Sequence, residues 1–277
     1  RAMDGLFPDL YENGDEEFLY LVRIFRANRA DEKLKEAVGA LYTFACSERS
    51  VDEFLEKAGD GVTEKSFYRA KNELFGSYRA KISEIKRIAL NVLSDAEDLG
   101  LEKYASALKS LLSVIETALN CKNYDELYSM AKLEIERTPV MRTDDESVIA
   151  VRDRLKGVKD LYGKVTDGIL LSSPNGGDEK ADLADYLKTA RATKALCRLT
   201  QEFAARYAEE KNDEAVVDFS DLEHTAYKLL INNPEILAAV KSKYKYVFAD
   251  EYQDVNAVQE AILNLISDGN AFMVGDV

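Results

Sequence analysis

Tryptophan is absent from the 277 residues, histidine occurs once, and cysteine occurs three times. A lone His224, with Cys46, Cys121 and Cys197 far apart, provides neither zinc-site spacing nor a disulfide framework; the pattern suits a reducing compartment. No base stands beside the cysteines in sequence, so a nucleophilic role for them is unsupported. Proline is scarce as well, at four residues against fourteen glycines, which permits long uninterrupted helices. No apolar run is long enough to span a membrane, and no signal-peptide pattern opens the chain. A phosphate-binding G-x-x-x-x-G-K-[ST] loop is also missing. The nearest approach, Gly157 through Gly163-Lys164, has one residue too many between its glycines, Val165 in place of Ser or Thr, and no preceding strand.

What is present describes an ordinary globular protein. Hydrophobic residues at 46% and charged residues at 32% allow a real core, in one large or two modest domains. The net charge of −14 argues against nucleic-acid binding through bulk electrostatics, so any such contact needs a local basic face. Fifteen tyrosines are compatible with a helical core and do not imply stacking on bases.

Helical periodicity fills the first two hundred residues. Asp15 to Ala30 carries Phe18, Leu19, Leu21, Val22 and Phe25 on one face. Asp31 is placed to cap a second helix with Leu34, Val38, Leu41 and Phe44 inward. Ser50-Val51-Asp52-Glu53 opens a third, ending before Gly59-Asp60-Gly61. A long helix is expected from about Glu64 to Ala96. Its Arg69, Lys71, Arg79, Lys81, Lys86 and Arg87 form either a solvated face or the best candidate in the chain for phosphate contacts. Further helices are expected over Leu101–Leu119, Tyr124–Glu136, Asp144 to about Thr166, and Glu179–Asn212 with Leu183, Leu187, Ala195 and Leu199 inward. Ser172 through Asp178 is the clearest loop and the expected mobile one. Ser220 and Glu223 fit a capping box opening a helix with Leu222, Ala226, Leu229 and Leu230 inward, and Pro234 starts the next.

The pattern changes at Tyr246-Val247-Phe248-Ala249, an apolar run ending in Asp250-Glu251-Tyr252-Gln253-Asp254. That is how a buried parallel strand delivers acids to its carboxyl edge. A helix from Val255 to Ile266 follows, then a second apolar run, Ala271 to Val274, stopping at Gly275-Asp276. Together these read as a β-α-β unit.

Asp250-Glu251-Tyr252-Gln253-Asp254 with Met273-Val274-Gly275-Asp276-Val277 resembles motif II and the opening of motif III of superfamily 1 DNA helicases. Within that group the chain is most similar to the AddA family, the helicase–nuclease subunits of bacterial AddAB recombination complexes. Val277, the segment Val217-Asp218-Phe219-Ser220-Asp221-Leu222-Glu223-His224 and the long helical region favour AddA over Rep/UvrD helicases. Ala249 replaces a larger aliphatic and Val255 a threonine; neither change removes a carboxylate. The resemblance implies a mainly α fold: a large helical insertion domain over 1–210, then part of a RecA-like α/β P-loop NTPase domain over 211–277. It implies that Asp250 holds Mg²⁺ with ATP and that Glu251 is the catalytic base. Gln253 would face the γ-phosphate, Asp254 would orient its neighbours, and Gly275 and Asp276 would couple nucleotide state to bound single strand. It further implies a parent in the bacterial cytoplasm that acts on double-strand DNA ends with AddB. The chain reads as an internal piece of such a protein, expected to be inactive alone and prone to self-association. A Rep/UvrD helicase, or a helical scaffold whose acids are structural, are the alternatives. Asp218, Phe219 and Asp221 are at least as readily explained by an acid-rich helix start, and His224 by packing.

Overall fold

The computed structural model describes residues 1–25, 30–133, 135–139 and 145–276; Asp144, Val277 and the end of the expected first helix lie outside that set. Among the described residues the chain is mainly helical. In order come α1 (Ala2–Glu12), α2 (Glu16–Ile24), α3 (Ala30–Cys46), α4 (Val51–Gly59), α5 (Glu64–Asp98) and α6 (Glu102–Leu119). Then follow α7 (Tyr124–Ala131), α8 (Glu146–Leu171), α9 (Glu179–Asp213), α10 (Phe219–Asn232), α11 (Pro234–Lys243), β1 (Val247–Ala249), α12 (Ala257–Ile266) and β2 (Ala271–Met273). Two compact units form, one from Thr63–Lys188, the other from Arg1–Val62 with Thr189–Val277. Compactness therefore changes near 62 and 188. The cause is that α1, α2 and α3 share a core with Ala195 and Leu199 of α9.

The unit Thr63–Lys188 is a helical bundle. Thr63 caps α5 in a capping box with Ser66. On α5, Ile82, Ile85, Ala89, Val92 and Ala96 are buried at alternating spacings of three and four. They meet Tyr104, Leu108, Leu111 and Ile115 of α6 and Val151, Leu155, Val158 and Tyr162 of α8. That repeat is the seam of left-handed helix packing. Each buried Leu or Ile contributes about 1.5–3 kcal/mol.

The basic residues of α5 are occupied within this unit. Lys71 is largely covered and pairs with Asp125 at 2.7 Å and with Glu179. Arg79 donates to the Leu119 carbonyl at 3.1 Å, and Lys81 lies 5.5 Å from the centre of the Tyr78 ring. Lys86 pairs with Glu116, Arg87 with Glu84 and Arg69 with Glu73. These partners suit a solvated, packing face better than a phosphate-binding one. Gly157 and Gly163 lie inside α8, so no phosphate loop forms there. The Ser172–Asp178 loop is tied down: Asn175 donates to Asp182 and Asp185, and the Gly177 amide to the buried Ser173 hydroxyl at 2.9 Å. Gly177 has φ +93°, and a Cβ there would lie 2.7 Å from the Tyr128 ring.

In the other unit, α1 and α2 bury Leu6, Phe7, Leu10, Phe18 and Leu21 against Leu34 and Val38 of α3. Two details depart from expectation in α3: Asp31 lies in its first turn, and Phe44 is exposed. The start of α10 is also revised. Asp218, not Ser220, is its N-cap, closing a capping box with Asp221. Leu222 and Leu229 are exposed and Leu230 is buried. Periodicity identifies an apolar face but not whether a neighbour covers it.

Lys211, near the end of α9 and only 7% exposed, pairs with both acids of that helix start. Its ammonium lies 2.9 Å from Asp218 and 2.6 Å from Asp221. Burial alone would lower the lysine pKa, but the two carboxylates outweigh it and hold it above the usual range. Burial would likewise raise Asp218, yet Lys211 and the Asp221 amide hold it below the usual carboxylate range. A depressed Asp218 contributes stability above its unfolded pKa that is lost as pH falls through the folded value. Lys211→Met should therefore cost about 2 kcal/mol at neutral pH, discounted for the aspartates' partial exposure. The gap to wild type should narrow as Asp218 protonates. Urea titrations across the acid range test this; equal stability at neutral pH would contradict it.

Candidate active site

The site is built where β1 ends. β1 and β2 pair in parallel, with Val247 opposite Ala271, Phe248 opposite Phe272 and Ala249 opposite Met273. Alternation along each strand sends Val247 and Ala249 to one face and Tyr246 and Phe248 to the other. Val247 is buried, whereas Phe248 is 73% and Phe272 51% exposed, their rings stacked at 5.2 Å. The strand pair is thus parallel as expected but open on its aromatic face.

Beyond the last ladder position the chain turns sharply. The Val274 amide donates to the Ala249 carbonyl at 2.9 Å, and the Tyr252 amide donates to the Val274 carbonyl at 2.9 Å. Between these bonds Glu251 adopts φ +49°, ψ +43°, a left-handed conformation that a residue with a Cβ rarely takes. Such strain costs on the order of 1–3 kcal/mol and persists where surrounding contacts enforce it. Here the contacts are visible. The Glu251 amide donates to Asp250 Oδ1 at 3.0 Å, and Tyr252–Asp254 closes into one 3₁₀ turn.

Gln253 joins the two strand ends. Its Nε2 donates to Glu251 Oε2 at 2.5 Å, and its Oε1 accepts from the Asp276 amide at 2.9 Å. Gly275 makes that possible: a Cβ there would overlap Gln253 Oε1 and stand 3.0 Å from the Tyr252 nitrogen. Asp250, Glu251, Gln253, Gly275 and Asp276 are therefore brought together, all exposed to solvent. Asp254, also exposed, sits at the end of the turn, where its amide donates to the Glu251 carbonyl at 2.8 Å. Asp250 and Glu251 offer hard oxygen donors, the chemistry that suits Mg²⁺. Among the described residues no group of three or more His, Cys, Asp or Glu gathers as a metal site.

Several supports escape a reading of motifs. The Tyr252 hydroxyl donates to Glu260 at 2.8 Å, and this bond, with some burial, raises the tyrosine pKa. Asn256 caps α12 in a box with Gln259, a pairing visible in the sequence as N-x-x-Q ahead of an apolar helix. His224 Nε2 lies 3.0 Å from the Cys46 carbonyl; since a carbonyl only accepts, that nitrogen carries the proton. His224 is a packing residue in this arrangement. No described helix is long and apolar enough to cross a membrane.

Gly275→Ala should displace Gln253 from the Asp276 amide and destabilise the chain by about 1–3 kcal/mol, as overpacking does. Thermal melts of the purified chain would read the loss; an unchanged midpoint would show that the turn has room for the methyl group.

Comparison with known proteins places the chain in a family. The chain is similar to A-type subunits of ATP-dependent helicase/nucleases from several bacteria. It is 31% identical over 310 residues to that of Acetivibrio thermocellus and 30% identical over 309 residues to that of Ruminiclostridium cellulolyticum, each alignment covering 100% of this chain. The protein of the same name from Listeria innocua is 29% identical over 299 residues, covering 99% of the chain. The chain spans 24% of the length of each of these relatives. The UvrD/REP helicase N-terminal domain family matches residues 27–277, nearly the whole sequence. The chain belongs to the UvrD/REP helicase N-terminal domain family.

Proposed function

We propose that the chain is part of an AddA-type ATP-dependent DNA helicase–nuclease, carrying motif II and the opening of motif III of its first motor domain. The observation that carries this reading is the joint at the strand ends. Adjacent carboxylates at the end of β1 share Gln253 with the Asp276 amide at the end of β2. In the proposed site Asp250 would hold the Mg²⁺ of bound ATP. That ion, when bound, neutralises phosphate charge. Glu251 accepts a proton from the attacking water. Gln253 faces the γ-phosphate, Asp254 orients its neighbours, and Gly275 and Asp276 carry the change of nucleotide state toward bound single strand.

The unit Thr63–Lys188 is inserted in the sequence of the other unit. That supports an assignment to the helical insertion domain of such a motor, with residues 211–277 contributing to the RecA-like part. The open aromatic face of Phe248 and Phe272 fits a sheet that another layer covers in a longer protein, and in isolation it favours self-association. The whole protein is proposed to work in the bacterial cytoplasm on double-strand DNA ends, with AddB as partner.

The test is DNA-stimulated ATP hydrolysis by the full-length protein. Glu251→Gln should lower kcat by roughly 10²- to 10⁴-fold, the usual contribution of a general base. The 277-residue chain, without a phosphate loop, should show no turnover. Undiminished hydrolysis by the full-length Glu251→Gln protein would make the acids structural and return the chain to the scaffold reading.

A further inference from the structure

α10 reaches the opening of α12 through one carboxylate. Glu223 Oε1 accepts from Gln259 Nε2 at 2.6 Å, and Glu223 Oε2 accepts from Asn256 Nδ2 at 3.3 Å. Asn256 and Gln259 are the capping pair of α12. Asn256 Oδ1 takes the Gln259 amide at 2.8 Å, and Gln259 Oε1 takes the Asn256 amide at 3.2 Å. Both side-chain oxygens are thus spent on the helix end, and both NH₂ groups are left to find an acceptor. Glu223 supplies one for each, with its charge at a helix N-terminus, where the dipole favours it.

The same turn is held from the residue that follows α3, since the amide of the buried Val258 donates to the Ser47 carbonyl at 3.2 Å. Only Val255 separates the cap residue Asn256 from the 3₁₀ turn that aims Glu251. The Tyr252 hydroxyl, bonded to Glu260 on α12, ties that turn to the same helix. Glu251, strained at φ +49°, takes its direction from this turn. A shift of the first turn of α12 would therefore move the carboxylate.

We infer that Glu223 is a positioning residue for the Glu251 carboxylate, acting through the capped first turn of α12. This role presupposes the base role proposed for Glu251. It is distinct from fold maintenance, because it predicts a rate effect without a binding effect.

The experiment is steady-state ATP hydrolysis by the full-length protein with saturating DNA, comparing Glu223→Ala, Glu223→Gln and Glu251→Gln. Glu223→Ala should lower kcat at least about tenfold, since small misplacements of reacting groups cost one to two orders of magnitude. KM for ATP should stay within about twofold, as for an interaction expressed in the transition state. Glu223→Gln keeps an acceptor for Gln259 and should recover most of the rate. A wild-type kcat in Glu223→Ala would overturn the inference. So would a higher KM with unchanged kcat, or a Glu223→Gln loss equal to that of alanine. If Glu223→Ala does not fold, Glu223→Met keeps the packing of α10 and carries the same expectation and the same contradictions. An inactive Glu251→Gln beside unaffected Glu223 variants would remove the positioning role alone. An active Glu251→Gln would remove the base assignment and this inference with it.

Discussion

One side chain determines how the acids of this chain are presented. Gln253 donates to Glu251 and accepts from the Asp276 amide, bonding the residues beyond one strand to those beyond the next. Three other features go with that bridge. Glu251 is kept in a left-handed conformation that its Cβ disfavours. Gly275 must lack a side chain to leave Gln253 its place. The parallel register of β1 and β2 must put residue 276 beside residue 253, and a slip of one position would turn the paired side chains to the wrong face.

Around this joint the support is graded. The strands contribute only three residues each, too few to be stable alone. Their position comes from α12, with Val258 and Ala261 buried, and from the capped turn shared with α10. Further back, Lys211 holds the two acids that begin α10. Each link is a local bond between a helix end and a neighbouring element, so the acids are oriented by helix caps as much as by the sheet.

Much of this was legible in the sequence. A period of 3.6 that gives way to apolar runs separates the helical region from the strand–acid–helix–strand unit, because burial of one face is written directly into the spacing of Phe18, Leu21, Leu34 and Val38. The acids at 250 and 251 are equally plain, since consecutive carboxylates after an apolar run have few other uses. What spacing cannot encode is which apolar face meets a partner. Leu222, Leu229 and Phe44 have core periodicity and lie exposed, whereas Lys211 has none and is buried. Nor does spacing identify ion-pair partners. Lys71 belongs to a row of basic residues in sequence, yet it is enclosed by Asp125 and Glu179, 54 and 108 residues away. α1 escaped notice because Pro8 lies inside it, and proline ordinarily signals a break.

The most direct test of the joint is amide hydrogen exchange at Asp276, measured by NMR in the wild-type chain and in Gln253→Ala. Asp276 is exposed, and its amide donates to Gln253 alone among the described bonds. Its exchange should be slowed in the wild type and should speed up when Gln253 is truncated. The Val274 amide, bonded to the Ala249 carbonyl, should keep its protection in both. Equal exchange at Asp276 in the two proteins would mean that Gln253 does not tie the strand ends together, and the account of how Glu251 is held would fail.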